Sequence, residues 1–261
     1  MKEMQEIVKE LKNAKIVSII GKVGTGKTTL ATNIIKEFIT DTKVKRNVAI
    51  YSLETTSVVL LSLITQMKGK KLNVFINKTD FDTNKEIDEE TSKGFFYIYD
   101  GESVKTGKIK QQIDSLIEEL KKRKQKLDLI LIDYLQLTYP STDNLYIDTK
   151  DKKGQELKEN YDVLIKQFAD TNLNEIMETN IKQLKEIAKN YNIPIILVTM
   201  LSDNKEQETE QKKVIKEICD IVIEIEKQED NSQIKITDSK NNTKIINCKF
   251  DNTSCEFIEI K

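Results

Sequence analysis

Short apolar runs alternate with segments of helical period along most of this chain. Residues 15–20 (KIVSII) read as an apolar strand, followed at once by a glycine-rich turn and the helical pattern LATNIIKEFI. The pattern then predicts a strand over 47–53 (NVAIYSL), a helix over 56–67 and a strand over 95–99 (FFYIY). A long lysine-rich helix over 103–126 follows, with apolar residues at Ile109, Ile113, Ile117 and Leu120. Residues 127–133 (LDLILID) are apolar almost without a break, which suits a strand buried on both faces of a parallel sheet. A helix over 173–191 leads through Pro194 into a strand over 195–199 (IILVT).

Three stretches break this alternation. Residues 68–94 are polar and irregular, 141–172 read as a polar insertion, and 203–213 (DNKEQETEQKK) as a charged loop or frayed helix. Beyond them, 220–226, 233–238, 244–250 and 255–260 read as short strands, with turns at Asp230-Asn231, Asn241-Asn242 and Asn252. Residues 1–13 form an N-terminal helical arm, amphipathic over 3–13, and 14–261 one α/β domain. Alternating β and α segments followed by hairpins predict a mainly parallel central sheet, helices on both faces, and a C-terminal antiparallel extension.

Composition narrows the chemistry. At 261 residues with a net charge of −1, the chain is not coated in positive charge for nucleic acid, although a local patch fits that balance. No apolar run approaches the roughly 18–20 residues of a membrane helix, so no membrane partner is expected. The charged opening MKEMQEIVKELKN does not read as a secretory signal. Three cysteines without metal-site spacing suggest a reducing, cytoplasmic setting. The absence of His removes His-dependent triads, His-ligated zinc and imidazole acid–base catalysis. Arg46 and Arg123 are the two arginines; every other residue among the 42 Lys+Arg is lysine.

The strongest motif is Gly21-Lys22-Val23-Gly24-Thr25-Gly26-Lys27-Thr28, with Thr29 next, which matches the phosphate-binding pattern GxxxxGK followed by Ser or Thr. Such a loop wraps its backbone N–H groups around phosphate, and glycines permit the dihedrals and leave no Cβ in the way. An apolar strand before it and an amphipathic helix after it supply the required context, with the helix N-terminus aimed at the phosphates. Lys27 is placed to bridge β and γ oxygens, and Thr28 to hold Mg²⁺. A second metal carboxylate belongs at the end of a buried strand, where Asp133 closes LDLILID; Asp128 lies at that strand's start, the wrong end of the sheet. Glu54 follows NVAIYSL in the same manner. Two readings of it stand equal: a carboxylate that polarises water, or an acid near a helix N-terminus.

GKVGTGKTTLATNI, YSLETT, LDLILIDYLQL and LKEIAKNYNIPIILVT, in this order and spacing, resemble the C-terminal motor domain of DnaB-type replicative DNA helicases, a RecA-like P-loop NTPase fold. IDYLQL (132–137) is the most specific piece, and the resemblance spans about 14–260 with gaps at 68–92 and 140–172. It implies hydrolysis of ATP with Mg²⁺ in a homo-oligomeric, hexameric ring, each site completed by the neighbouring subunit, and single-stranded DNA as the track. It implies Glu54 as the water-activating residue and Asp133 as the magnesium carboxylate.

This chain departs from the family at telling places. The family's Ser-Gln pair is Thr199-Met200 here, and Met cannot hydrogen-bond as the γ-phosphate-sensing Gln does. An Arg expected shortly after is Asp203. The finger turn Lys-x-Arg-Asn-Gly reads Asp238-Ser239-Lys240-Asn241-Asn242, which puts Lys240, without arginine's planar fork, in the arginine-finger place. Asp203, Glu206, Glu208 and Glu210 oppose phosphate contacts after the 195–199 strand. The lysine clusters at 43–46, 68–71 and 121–126 read as solvated faces. Two functions follow: a compact DNA helicase or translocase acting in replication, or a RecA-like ATPase switch or assembly factor that does not unwind. A small-molecule kinase is a weaker third, lacking lid arginines.

Overall fold

The computed structural model describes residues 2–11, 13–40, 46–56, 59–60, 73–76, 94–101, 103–140, 173–228, 231–251 and 255–260. The elements are α1 (Lys2–Leu11), β1 (Ile16–Gly21), α2 (Lys27–Thr40), β2 (Arg46–Ser52), β3 (Asn73–Ile76) and β4 (Gly94–Asp100). Then come β5 (Val104–Lys105), α3 (Thr106–Lys122), β6 (Leu129–Asp133), a 3₁₀ turn (Leu135–Leu137), β7 (Thr138–Tyr139), α4 (Leu173–Tyr191) and β8 (Ile195–Met200). The chain closes with α5 (Lys205–Ile218), β9 (Ile221–Lys227), β10 (Ser232–Asp238), β11 (Thr243–Asp251) and β12 (Glu256–Glu259).

Ten of these strands form one sheet in the order β12-β11-β10-β9-β1-β8-β6-β2-β4-β3. From β9 to β3 neighbouring strands pair in parallel, and from β9 outward to β12 they pair antiparallel. This is the expected mixed α/β architecture with its antiparallel extension. β1 sits between β8 and β9, so the phosphate-loop sequence that follows it emerges in the middle of the sheet's carboxyl edge.

The period-2 pattern of the strands divides two apolar layers. Val17 and Ile19 face a cluster built with α1 and α2 (Ile7, Leu11, Leu30, Ile34). Ile16 and Ile20 face the opposite cluster, built with α3, α4 and α5 (Ile113, Leu184, Ile215). Each fully buried Leu or Ile contributes roughly 1.5–3 kcal/mol, so the sheet centre is a main source of stability beneath the site. Because α1 shares the α2 layer, the N-terminal arm packs into the same core as the rest.

Two expectations need correction. The 203–213 segment, read as a loop or frayed helix, lies mostly within the regular helix α5. Asn204 caps it, its side chain accepting from the N–H groups of Glu206 and Gln207, and Glu208 pairs with Lys212 one turn on. Few of its side chains are buried (Gln211 and Ile215), which is why apolar periodicity did not reveal it. The stretch 68–94, read as irregular, contains β3, a short strand pairing with β4 at the sheet's edge. Of the helix expected over 56–67, Val59 and Leu60 are helical, while 57–58 and 61–67 lie outside the described residues, as do the insertion 141–172 and the lysine clusters at 43–45 and 68–71.

Candidate active site

The loop between β1 and α2 is folded around the Lys22 carbonyl. That oxygen accepts from Thr25 Oγ1 at 2.9 Å, Thr25 N at 3.4 Å and Lys27 Nζ at 2.7 Å. Gly26 takes φ +92°. A Cβ there would also stand 2.8 Å from the ring of Phe257 on β12, so conformation and packing both exclude a larger residue. Asn33 on α2 holds that strand in place: its Nδ2 donates to the Cys255 carbonyl and its Oδ1 accepts from Phe257 N, both at 3.1 Å. The last strand thus backs the phosphate loop, a role with no local sequence signal because its partners lie more than 200 residues away.

Asp133 ends β6 at the same edge and is 1 % exposed. Neither buried carboxylate oxygen has a well-formed hydrogen-bond partner. Burial pushes its pKa up to about 6; the neighbouring Thr28 hydroxyl and the Lys27 charge pull it down, and Glu54 pushes it further up. A buried carboxylate without a hydrogen bond is costly, and a cation at this position would offset that cost. Hard oxygen donors beside a phosphate loop fit Mg²⁺. Among the described residues no group of three or more Cys, Asp or Glu forms a metal cage, which also fits an ion that keeps phosphate and water oxygens as its other ligands.

Lys27 is half-buried between these groups. Burial lowers its pKa, and the charges of Glu54 and Asp133 oppose that shift. Glu54 stands just past the end of β2, exposed to solvent. Its position is set by Leu53 N, which donates to the Asp133 carbonyl at 2.7 Å, and by Ser52 Oγ, which donates to the Thr55 carbonyl. The structure therefore brings Lys27, Thr28, Glu54 and Asp133 together at the ends of β1, β2 and β6. Asp128 is at the opposite end of β6, held by Arg46 and Asn47 N, as its position in LDLILID predicts.

The end of β8 is tied into the same edge. Ser18 and Thr199 hydroxyls meet at 3.2 Å, and Leu201 N donates to the Gly21 carbonyl at 3.0 Å. Gln136, in the 3₁₀ turn after Asp133, grips the Met200 backbone twice, donating to its carbonyl at 2.5 Å and accepting from its N–H at 3.2 Å. Gln136 has no side-chain signature in the sequence that would mark it, since its partner is main chain. Lys240 is not part of this cluster. It tops the β10–β11 turn, where Asp238 N donates to the Asn242 carbonyl and Asn241 has φ +64°. That turn lies at the amino end of β9, as the pairing of Asp238 with Ile221 requires. Within one chain Lys240 is therefore across the sheet from the phosphate loop.

Three comparisons bear on this site. The family description "DnaB-like helicase C terminal domain" matches residues 1–249. The chain is 24% identical over 226 residues to the replicative DNA helicase DnaB of Geobacillus stearothermophilus, covering 83% of this chain and 42% of that protein. It is likewise 24% identical over 227 residues to a probable replicative DNA helicase of Trieres chinensis, with the same coverage of 83% and 42%. The chain thus spans less than half the length of these relatives. Among solved structures, an ATPase domain superposes with TM-score 0.59 at 15% identity, over 95% of this chain and 85% of that one. A DnaB-like replicative helicase, solved in work on its interactions with primase, gives TM-score 0.58 at 14% identity, over 97% and 61%. At those identities the two structures establish likeness of fold.

Proposed function

Because the chain belongs to the DnaB-like helicase C-terminal domain family, we propose that it is an ATP-hydrolysing motor acting in DNA replication, a compact helicase or translocase. The observation that carries this reading is the unpartnered, buried Asp133 facing Lys27 across the phosphate loop, with Glu54 beside both. The backbone from Gly21 to Thr29, with Lys22, Val23, Gly24, Thr25 and Gly26 forming the turn, wraps the phosphates. Lys27 leaves the Lys22 carbonyl to meet the β and γ oxygens. Asp133 and Thr28 would hold Mg²⁺, which when bound neutralises phosphate charge. Glu54, free to reach water, orients it towards the γ-phosphate and takes up its proton.

Lys240 completes the site of a neighbouring copy in a homo-oligomeric ring, with six subunits as in the resemblance described above. Its distance from its own phosphate loop supports action in trans. Lysine supplies a point charge rather than a bidentate fork, so turnover is slow even in the assembled ring. Single-stranded DNA is the track this reading implies. No helix among the described residues is long and apolar enough to cross a membrane.

A second reading, a nucleotide-driven switch or assembly factor without unwinding, is favoured by one feature. The segment after β8, a candidate DNA contact, folds into the acidic start of α5. ATPase assays with and without single-stranded DNA, on wild type, Lys27→Ala and Glu54→Gln, test both. The motor reading requires hydrolysis that DNA stimulates and that both substitutions abolish. Hydrolysis indifferent to DNA supports the switch.

A further inference from the structure

The acidic start of α5 does not hang free beside the phosphate loop; it is bonded to it. Lys22 Nζ lies 3.6 Å from Glu208 Oε2 and 4.0 Å from Asp203 Oδ1. Glu208 Oε1 is 2.7 Å from Lys212 Nζ, and Lys212 also pairs with Glu224 on β9. Glu224 is buried, and it sits opposite Ile20, one residue before the loop. The segment joining β8 to α5 is held as well: Ser202 N donates to Gln211 Oε1 and Ser202 Oγ to Gln207 Oε1, both at 2.8 Å. The cleft between these elements, about 330 Å³ in volume, is lined by Gly21, Lys22, Thr25, Glu208, Glu224 and Glu226 among others.

The cleft carries charge of both signs. Lys22 and Lys212 pair with Asp203, Glu208 and Glu224, and Glu226 and Lys227 also line the cleft. Glu208 is the shared partner, its pKa held below the ordinary carboxylate range by Lys212 first and then Lys22. Lys22 is the second residue of the loop, and it is the one cation of the loop turned outward, since Lys27 turns in to the Lys22 carbonyl. Glu208 therefore stands where it can offset part of the positive charge that Lys22 presents beside the loop.

We propose that Glu208 is a positioning residue that acts through Lys22 to keep the grip of the phosphate loop on nucleotide weak, and so speeds release of the diphosphate product. The inference rests on the nucleotide-site reading above. It turns the acidic α5 from an anomaly in a DNA-contacting position into a device that tunes the neighbouring loop. It also makes a prediction of opposite sign to a merely structural role. If α5 only braced the loop, loss of the contact would loosen the loop and weaken binding. If Glu208 neutralises Lys22, loss of its charge frees Lys22 and tightens binding.

The test is the affinity for ADP, by titration calorimetry at low salt, of wild type, Glu208→Gln, Lys22→Met, the double variant and Lys27→Ala. Glu208→Gln is expected to bind ADP about 3- to 10-fold more tightly than wild type, the scale of one partly screened charge, with the gain shrinking as salt rises. In the Lys22→Met background the same substitution is expected to do nothing, since the effect runs through that ammonium. Weakened or unchanged binding by Glu208→Gln overturns the inference and leaves the nucleotide site standing. So does a gain that persists without Lys22. Wild type that fails to bind ADP, or binds it as well with Lys27→Ala, overturns the nucleotide site itself and the inference with it.

Discussion

The two ends of the parallel strands treat the same residue type in opposite ways. At the amino end, Asp128 accepts from Arg46 Nη1 at 2.9 Å and Asn47 N at 3.0 Å. Asp220, at the start of β9, accepts from Lys15 N at 2.6 Å, Ile16 N at 3.0 Å and Lys185 Nζ at 2.7 Å. These carboxylates are paired within the protein, and they pin strand starts. At the carboxyl end Asp133 is buried with neither oxygen in a hydrogen bond, and Glu54, whose charge acts on it, is exposed. A buried charge left without partners is an expense that folding alone does not explain. The difference separates these residues: Asp128 and Asp220 are held by partners within the chain, and Asp133 is left without a hydrogen bond, which is the contrast the proposed cation site rests on.

The largest expected effect is at Glu54. A carboxylate that orients water acts on the chemical step, so Glu54→Gln is expected to lower kcat by about 10²–10⁴-fold while ATP affinity stays nearly constant. Parallel loss of binding and turnover in a kcat and Kd comparison would make Glu54 structural, like the acids at the other end.

Next come the two buried aspartates of β6 and its approach. Asp128→Ala leaves Arg46 without its carboxylate partner and is expected to cost about 3–5 kcal/mol in a urea melt. Asp133→Asn removes a buried charge whose oxygens make no hydrogen bond, and is expected to stabilise the magnesium-free protein by about 1–3 kcal/mol. Equal destabilisation by both substitutions would erase the contrast between the two ends.

A smaller effect is a pH dependence set at the amino end. Burial alone would raise the Asp220 pKa, but Lys185 and the N–H groups of Ile16 and Lys15 outweigh it and hold the pKa below its ordinary value. A carboxylate lowered on folding contributes stability that is fully present above its unfolded pKa of about 3.9 and is lost as pH falls through the lower folded value. Acid unfolding of wild type is therefore expected to steepen below about pH 4, and Asp220→Asn to lose that part of the slope. Identical acid profiles would contradict the assignment. The smallest effect is at the helix beside the site: Asn204→Ala removes the α5 cap and is expected to cost about 1 kcal/mol by thermal melt.

How much of this was readable in sequence depended on whether the signal was local. The phosphate loop was legible because strand, glycine turn, Lys27 and helix lie within one short run. Asp133 was legible because LDLILID is buried on both faces and so names its own end. The helix α5 was hidden because its order comes from an Asn204 cap and ion pairs, with little apolar face to show. β3 was hidden because a four-residue edge strand has too few alternations to stand out. The backing of Gly26 by Phe257 and the grip of Gln136 on Met200 were invisible for another reason. Both join residues far apart in sequence, and the second uses main-chain atoms. Lys240 stands at the predicted turn, yet its own chain gives it nothing to act on at the phosphate loop.

The central claim is that Asp133 and Lys27 form a magnesium–nucleotide site. The most direct test is the shift in unfolding midpoint caused by ATP, measured with magnesium and with chelator, for wild type, Asp133→Asn and Lys27→Ala. A ligand that binds only the folded state raises stability in proportion to RT ln(1 + [L]/Kd), so the shift reads binding without requiring turnover. The expected result is a large shift for wild type that magnesium enhances, a reduced shift insensitive to magnesium for Asp133→Asn, and almost none for Lys27→Ala. Equal, magnesium-enhanced shifts in all three proteins would contradict the account.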